Sequence, residues 1–272
     1  MRILKNIVFL LVVGILNLNS VFAQEGWELG GFVGMSTYYG DLNPKFSFKR
    51  LGPSLGVLAR KNFDGRLCFR VAASYANVGA SDKKAKGEFE RARNLSFSSN
   101  IFEASAVMEF NFQDFHSNTR EDKPVAPYLL AGIGLLHFNP SAVYDGVRYN
   151  LRDMGTEGQA RGEEYGLVSA AVILGGGVKI DMNPSLSWNI EISGRLSFTD
   201  YLDDVSGVYG DPNAIAGYHG DIAAALADRS VEIGERIGRI GRQRGDSKSN
   251  DSYVFLTVGL AYRFRPLSCP AY

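Results

Sequence analysis

Eight stretches of the chain alternate apolar and polar residues with period two, and each is long enough to cross a bilayer as a tilted strand. They run over 28–40, 51–61, 66–78, 97–112, 126–138, 167–180, 186–199 and 253–264. Successive side chains of a strand point to opposite faces, so this pattern gives each strand one apolar and one polar face. A transmembrane strand needs about 9–11 residues, which every stretch supplies. The polar faces carry Arg60, Arg70, Glu103, Glu109, Glu191, Arg195 and Arg263. In a soluble sandwich the apolar faces turn inward. Charges of both signs on the opposite faces fit a narrow barrel interior, where they pair with one another while the apolar faces meet lipid. The stretch 126–138 is apolar on both faces, and on its own reads as a core strand.

The connections support the same reading. Strands two and three are joined by residues 62–65, and six and seven by 181–185. The links over 79–96, 139–166 and 200–252 are long. Short turns alternating with long loops are the pattern of an outer-membrane barrel with both termini on the short-turn side. The link 113–125 departs from it, being long and polar on the short-turn side, and is read as a misfit or a docking loop. The last loop carries a loose apolar stripe (Ile222, Leu226, Ile233, Ile237, Ile240), which predicts a short helix over 222–240. Arg229, Arg236, Arg239, Arg242 and Arg244 make it basic, suited to a solvated loop helix or to contact with lipid-head-group phosphates. The expected fold is all-β: an eight-stranded antiparallel transmembrane β-barrel with long outer loops.

Residues 1–23 read as a cleaved signal peptide: Arg2 and Lys5, an apolar run, then Val21-Phe22-Ala23 at the cleavage subsites. Residues 24–272 would form the barrel domain in the cell outer membrane. Basic and acidic residues balance at 29 each, so no charge excess calls for nucleic acid. Aromatics near the strand ends, among them Trp27, Tyr39, Phe63, Tyr75 and Trp188, suit interfacial girdles in contact with outer-membrane lipid.

Chemistry is sparse. His116, His137 and His219 have no metal-ligand spacing, and no nucleophile elbow or phosphate loop occurs. The sequence points to no catalysis, no metal and no cofactor. Asp200, Asp203 and Asp204 follow strand seven but lack the alternate-oxygen spacing of a calcium loop. They are expected to face water or to cap the outer loops as hydrogen-bond acceptors, with Tyr201 at the membrane interface. Glu103 and Glu109 are expected to pair with Arg60, Arg70 or Arg195 inside the barrel. Cys68 and Cys269, both at the short-turn end of an exported chain, are a candidate disulfide; free thiols and pairing of Cys269 with another protein are the alternatives.

Several stretches resemble the PorG-like outer-membrane proteins of the Bacteroidetes type IX secretion (Por) system, a family tied to gliding motility. They are 34–42 (GMSTYYGDL), 60–63 (RKNF), 128–134 (YLLAGIG), 156–159 (TEGQ) and 198–206 (FTDYLDDVS) with Tyr209. The last two are the more specific, and Thr199, Asp200, Tyr201, Asp203 and Asp204 serve as the family marker at the strand exit. Ala160 stands where the family pattern has glycine. The resemblance implies a non-enzymatic component of the protein transport machinery that associates with periplasmic ring proteins of the PorK/PorN type. A small passive porin-like or ligand-binding barrel is the alternative function.

Overall fold

Strand pairing closes the sheet on itself. The computed structural model describes residues 26–44, 50–85, 87–115 and 125–264. These form β1 (Trp27–Tyr39), β2 (Gly52–Asn62), β3 (Leu67–Ser81), β4 (Ser96–Asn111), β5 (Val125–Tyr144), β6 (Val147–Asn150), β7 (Val168–Asn183), β8 (Leu186–Ser197) and β9 (Ser252–Arg263). All pairings are antiparallel and follow chain order from β1 to β5. β5 then pairs with β7, β7 with β8, β8 with β9, and β9 returns to β1. β6 pairs only with the far end of β5, so eight strands make the wall and β6 is a flap.

The period-two pattern sorts side chains as expected. On β3, Leu67, Phe69 and Val71 face outward while Cys68 and Arg70 are buried. Val33, Val57, Phe102, Ile133, Leu135, Val168 and Leu196 are more than half exposed around the wall. A continuous apolar belt on a closed sheet with a charged interior is what a lipid environment requires, since the closed ladder leaves no backbone group unpaired in hydrocarbon. β5 is apolar on both faces because Tyr128, Leu130, Leu136 and Phe138 fill the inside while Leu129, Ile133 and Leu135 face outward.

The interior is packed with ion pairs. Glu109 receives Arg60 at 2.9 Å, Arg70 at 3.1 Å and Lys179 at 2.7 Å. Arg60 also meets Glu28 at 2.7 Å, and Arg70 meets Glu191 at 2.6 Å. Arg195 pairs with Glu103 at 3.2 Å, and Tyr253 donates to the same carboxylate. Glu103 and Glu109 therefore pair as the sequence led one to expect. An interior cavity of about 20 Å³ between Arg70, Glu103, Asn189, Glu191 and Arg195 has room for about one water molecule.

The long-loop end differs from expectation. The helix over 222–240 is confined to α3 (Asp221–Ala227), and α2 (Pro212–His219) precedes it. The Asp228 carboxylate accepts from Ser230 N–H and Gly238 N–H, folding the chain back where a helix would have continued. Arg229 and Arg244 are buried there, paired with Glu232 and Glu157, so they do not belong to a solvated helix face. α1 (Glu88–Arg93) sits in the link between β3 and β4. The β5–β6 flap turns at Asp145-Gly146, whose positive φ values of 48° and 78° suit a tight hairpin. Residues 1–23, Cys269 and most of the 113–125 link lie outside the described residues. At the short-turn end, Phe115 is buried and lies 5.9 Å from Lys179 Nζ.

Candidate functional site at the long-loop end

The long loops fold into a cap over one end of the barrel, and the chain leaving β8 is its centre. β8 ends at Ser197, whose hydroxyl donates to Asp251 O at 2.6 Å, and the chain turns inward. Asp200, Asp203 and Asp204 are all buried, not water-facing. Tyr201 is half-buried and stacks on Tyr165, with ring centroids 4.3 Å apart and planes at 10°, so it belongs to the cap and not to a lipid interface.

Asp203, Asp204 and Asp251 each accept a different set of donors. Asp203 Oδ1 accepts from Val205 N–H, and its other oxygen meets the Tyr38 hydroxyl at 2.6 Å. Asp204 takes a left-handed φ of 69° and accepts from the hydroxyls of Thr156 at 2.5 Å and Tyr165 at 2.7 Å. Arg244, fully buried, donates to the Asp204 carbonyl and lies 3.2 Å from Glu157. Asp251 Oδ2 accepts from Leu202 N–H at 2.9 Å. Asp203 and Asp204 fill the role expected of them as hydrogen-bond acceptors that organise the loops, while both carboxylate oxygens of Asp200 are buried without a hydrogen-bond donor.

The residue that sequence reasoning left without a role is Glu157. Its carboxylate accepts from Ser206 N–H at 2.9 Å and Gly207 N–H at 3.0 Å. Thr156 and Glu157 thus clamp the 204–207 turn, and the 156–159 stretch and the 198–206 stretch form one unit. Gly155 permits this approach: its φ is +52°, and a Cβ there would lie 2.5 Å from His219 Nε2. His219 is itself tied to Gln159 O at 2.8 Å. The signal was present in the sequence, because both stretches stood out, but nothing in one dimension joins residues about 50 apart.

Among the buried charged residues of the cap, acid outweighs base: Asp82, Asp200, Asp203, Asp204, Asp228 and Asp251 stand against Arg93, Arg229 and Arg244. Burial is the main cause that pushes Asp200 up to about 7, with the charges of Asp41, Glu157 and Asp246 adding to it. Burial likewise raises Asp204 to about 6 against the opposing pull of Arg244, Thr156 and Tyr165. Among the described residues no set of three or more His, Cys, Asp or Glu side chains is placed to hold a metal ion. Cys68 is buried at the other end, 3.8 Å from Lys179 Nζ.

A closed eight-stranded sheet with an ion-paired interior, an apolar belt and a folded loop cap defines a small transmembrane β-barrel whose lumen is filled by its own side chains. Residues 5–215 match the family described as "Domain of unknown function (DUF6089)", and the chain belongs to that family. No curated protein matches it. Among solved structures, it is similar to Neisserial surface protein A at 13% identity and a TM-score of 0.44, covering 88% of this chain and 98% of that one. The attachment invasion locus protein Ail of Yersinia pestis, solved with sucrose octasulfate, is 10% identical with a TM-score of 0.41, covering 88% and 99%. The outer membrane protein OprG of Pseudomonas aeruginosa is 12% identical with a TM-score of 0.40, covering 88% and 97%.

Proposed function

We propose that this chain is a non-catalytic, non-conducting barrel of the cell outer membrane that acts as a structural component of the type IX secretion and gliding machinery. Its periplasmic side would associate with ring proteins of the PorK/PorN type. The observation that supports a structural role is the interior network joining Glu28, Arg60, Glu109, Arg70, Glu191 and Lys179, which occupies the space a channel would need. The secretion assignment rests on the family resemblance, carried above all by residues 156–159 and 198–206. Placement in the outer membrane rests on the exported N-terminus read from the sequence and on the apolar belt, since closed barrels are the β-form that spans a bilayer.

Deleting the gene should retain cargo bearing the type IX export signal inside the cell, and wild-type chain supplied in trans should restore export. Undiminished export in the deletion strain would overturn the secretion reading. Conductance of the purified barrel in planar bilayers should stay at the lipid baseline; steady single-channel steps would turn the reading to a porin-like barrel.

A further inference from the structure

A phenol held between two carboxylates lies at the base of the cap. Tyr38, near the end of β1, has its hydroxyl oxygen 2.6 Å from Asp203 Oδ2 and 2.7 Å from Asp251 Oδ1. All three side chains are buried. A phenol owns one proton and donates one full hydrogen bond. Two oxygen–oxygen contacts this short each need a proton between them. Tyr38 supplies one, so a carboxyl must supply the other by donating to the phenol oxygen. The outer oxygens of both acids are already acceptors, Asp203 Oδ1 from Val205 N–H and Asp251 Oδ2 from Leu202 N–H, each at 2.9 Å. The extra proton therefore sits on an oxygen that faces Tyr38.

The surroundings favour keeping it. Asp41, just beyond β1, and Asp200, on the β8 exit, add negative charge to the pair, with Asp246 and Glu157 nearby in the cap. Arg93 of α1 faces Asp203, but its guanidinium donates to the Asp82 carboxylate and to the carbonyls of Asp41 and Arg244. Arg244 is committed to Glu157 and Asp204. Burial, the largest cause, holds Asp203 and Asp251 well above the usual carboxylate range, with the charge of Asp41 acting on Asp203 and that of Asp203 on Asp251.

We propose that Asp203 and Asp251 share one proton through Tyr38 at neutral pH, and that this proton latches the β8 exit and the approach to β9 onto the barrel end. Losing it to solvent leaves two carboxylates competing for the single phenolic proton, and the loops loosen. A group that binds its proton more tightly when folded contributes stability at low pH, and that stability is lost as pH rises through the folded value. The latch is therefore closed on the acidic side and opens on the alkaline side.

Amide hydrogen exchange of the full chain, folded in detergent micelles, tests this at pH 6 and pH 9 with intrinsic exchange rates corrected. In the wild type, peptides covering 198–206 and 246–252 should lose about tenfold or more of their protection at pH 9, which corresponds to about 1.4 kcal/mol. A peptide from the wall, 128–136, should not change. In Asp251→Asn the amide nitrogen replaces Oδ1 and donates to Tyr38 without titrating, while the amide oxygen still receives Leu202 N–H. That variant should keep its cap protection at pH 9. Asp203→Asn repeats the exchange from the other side and serves if the first variant folds poorly. Equal wild-type protection at both pH values would overturn the proposal. So would a loss in the amide variants at pH 9 as large as in the wild type, or a loss already at pH 6, which would mean that both acids act as charged acceptors.

Discussion

Thr156 Oγ1 donates to Asp204 Oδ2 at 2.5 Å, joining two loops whose residues lie 48 apart in sequence. The contact lies in a buried acceptor site that also receives Tyr165 and faces Arg244 at 3.5 Å. Around it, the backbone of 206–207 is held by Glu157. Polar networks of this kind are stiff when every member is satisfied and costly when one is removed, because the remaining groups stay buried.

Thr156→Val keeps the shape of the side chain and removes the donor. The cap should lose about 1–3 kcal/mol of local stability, the cost of leaving a buried charged acceptor short of a partner. Pairing Thr156→Val with Asp204→Asn should cost less than the two single changes added together, because both act on one contact. Limited proteolysis of the loops reports the loss, while heat-modifiable migration on a gel reports an intact barrel. Additive single and double effects would show that the two residues do not act together.

The barrel was legible from the sequence for a simple reason. Period-two alternation fixes which face of a strand is apolar, and the charges on the other face fix which side is inside. Arg60, Arg70, Glu103, Glu109 and Arg195 therefore fall in the interior from their positions in the pattern alone, with Glu103 and Glu109 facing arginines. The cap was less legible because its contacts are long-range. Asp200, Asp203 and Asp204 read as water-facing turn residues, since aspartates after a strand usually are. They are buried because Arg93, Arg244, Thr156, Tyr38 and Tyr165 arrive from four other parts of the chain. The helix over 222–240 failed for a local reason that was partly visible: Asp228, Gly234 and Gly238 favour turns, and Asp211-Pro212 marks a helix start nearly three turns earlier than expected.

The centre of the interior makes a second prediction. Glu109 is the shared partner of Arg60, Arg70 and Lys179, and is fully buried. Glu109→Ala leaves three cations crowded without their common anion, and breaking a buried pair typically costs about 3–5 kcal/mol. Lys179 keeps Asn111 at 2.9 Å, and Arg60 and Arg70 keep Glu28 and Glu191, so the loss should fall near the lower end. Urea unfolding in lipid vesicles, followed by tryptophan fluorescence, measures it. An unchanged midpoint would mean that solvent reaches the network.

The outer face makes a third. Ile133, at the middle of β5, is 66% exposed and lies opposite Ala106 of β4 and Val172 of β7. If the belt meets lipid, Ile133→Arg should cost about 2–4 kcal/mol near the bilayer midplane. Val168→Arg, nearer the long-loop end of β7, should cost less because the cost falls toward the interface. Folding yields and unfolding midpoints in vesicles separate the two. In a barrel whose outer face met water, both changes would be close to neutral.

Asp200 makes the last prediction, and the sign follows from its environment. Its side chain is buried at the β8 exit near Asp41, Glu157 and Asp246, and burial carries its carboxyl up to about 7. An unfolded aspartate titrates near 4, so between about pH 4 and pH 7 the folded state holds a proton that the unfolded state has released. Stability contributed by this group is complete below pH 4 and is lost as pH rises to about 7, where it levels off. The size should be about 1–2 kcal/mol, allowing for solvent screening at a partly hydrated site. Asp200→Asn removes the titration and should flatten that part of the profile, leaving the cap more protected than the wild type at pH 8 and nearly equal to it at pH 4. Hydrogen exchange of peptides covering 198–206 reads the difference, and loss of protection between pH 6 and pH 9 that persists in Asp200→Asn belongs to the Asp203–Asp251 pair. A variant that is weaker than the wild type at pH 8 would show that Asp200 is held as a charged acceptor, and the burial argument for it would fail.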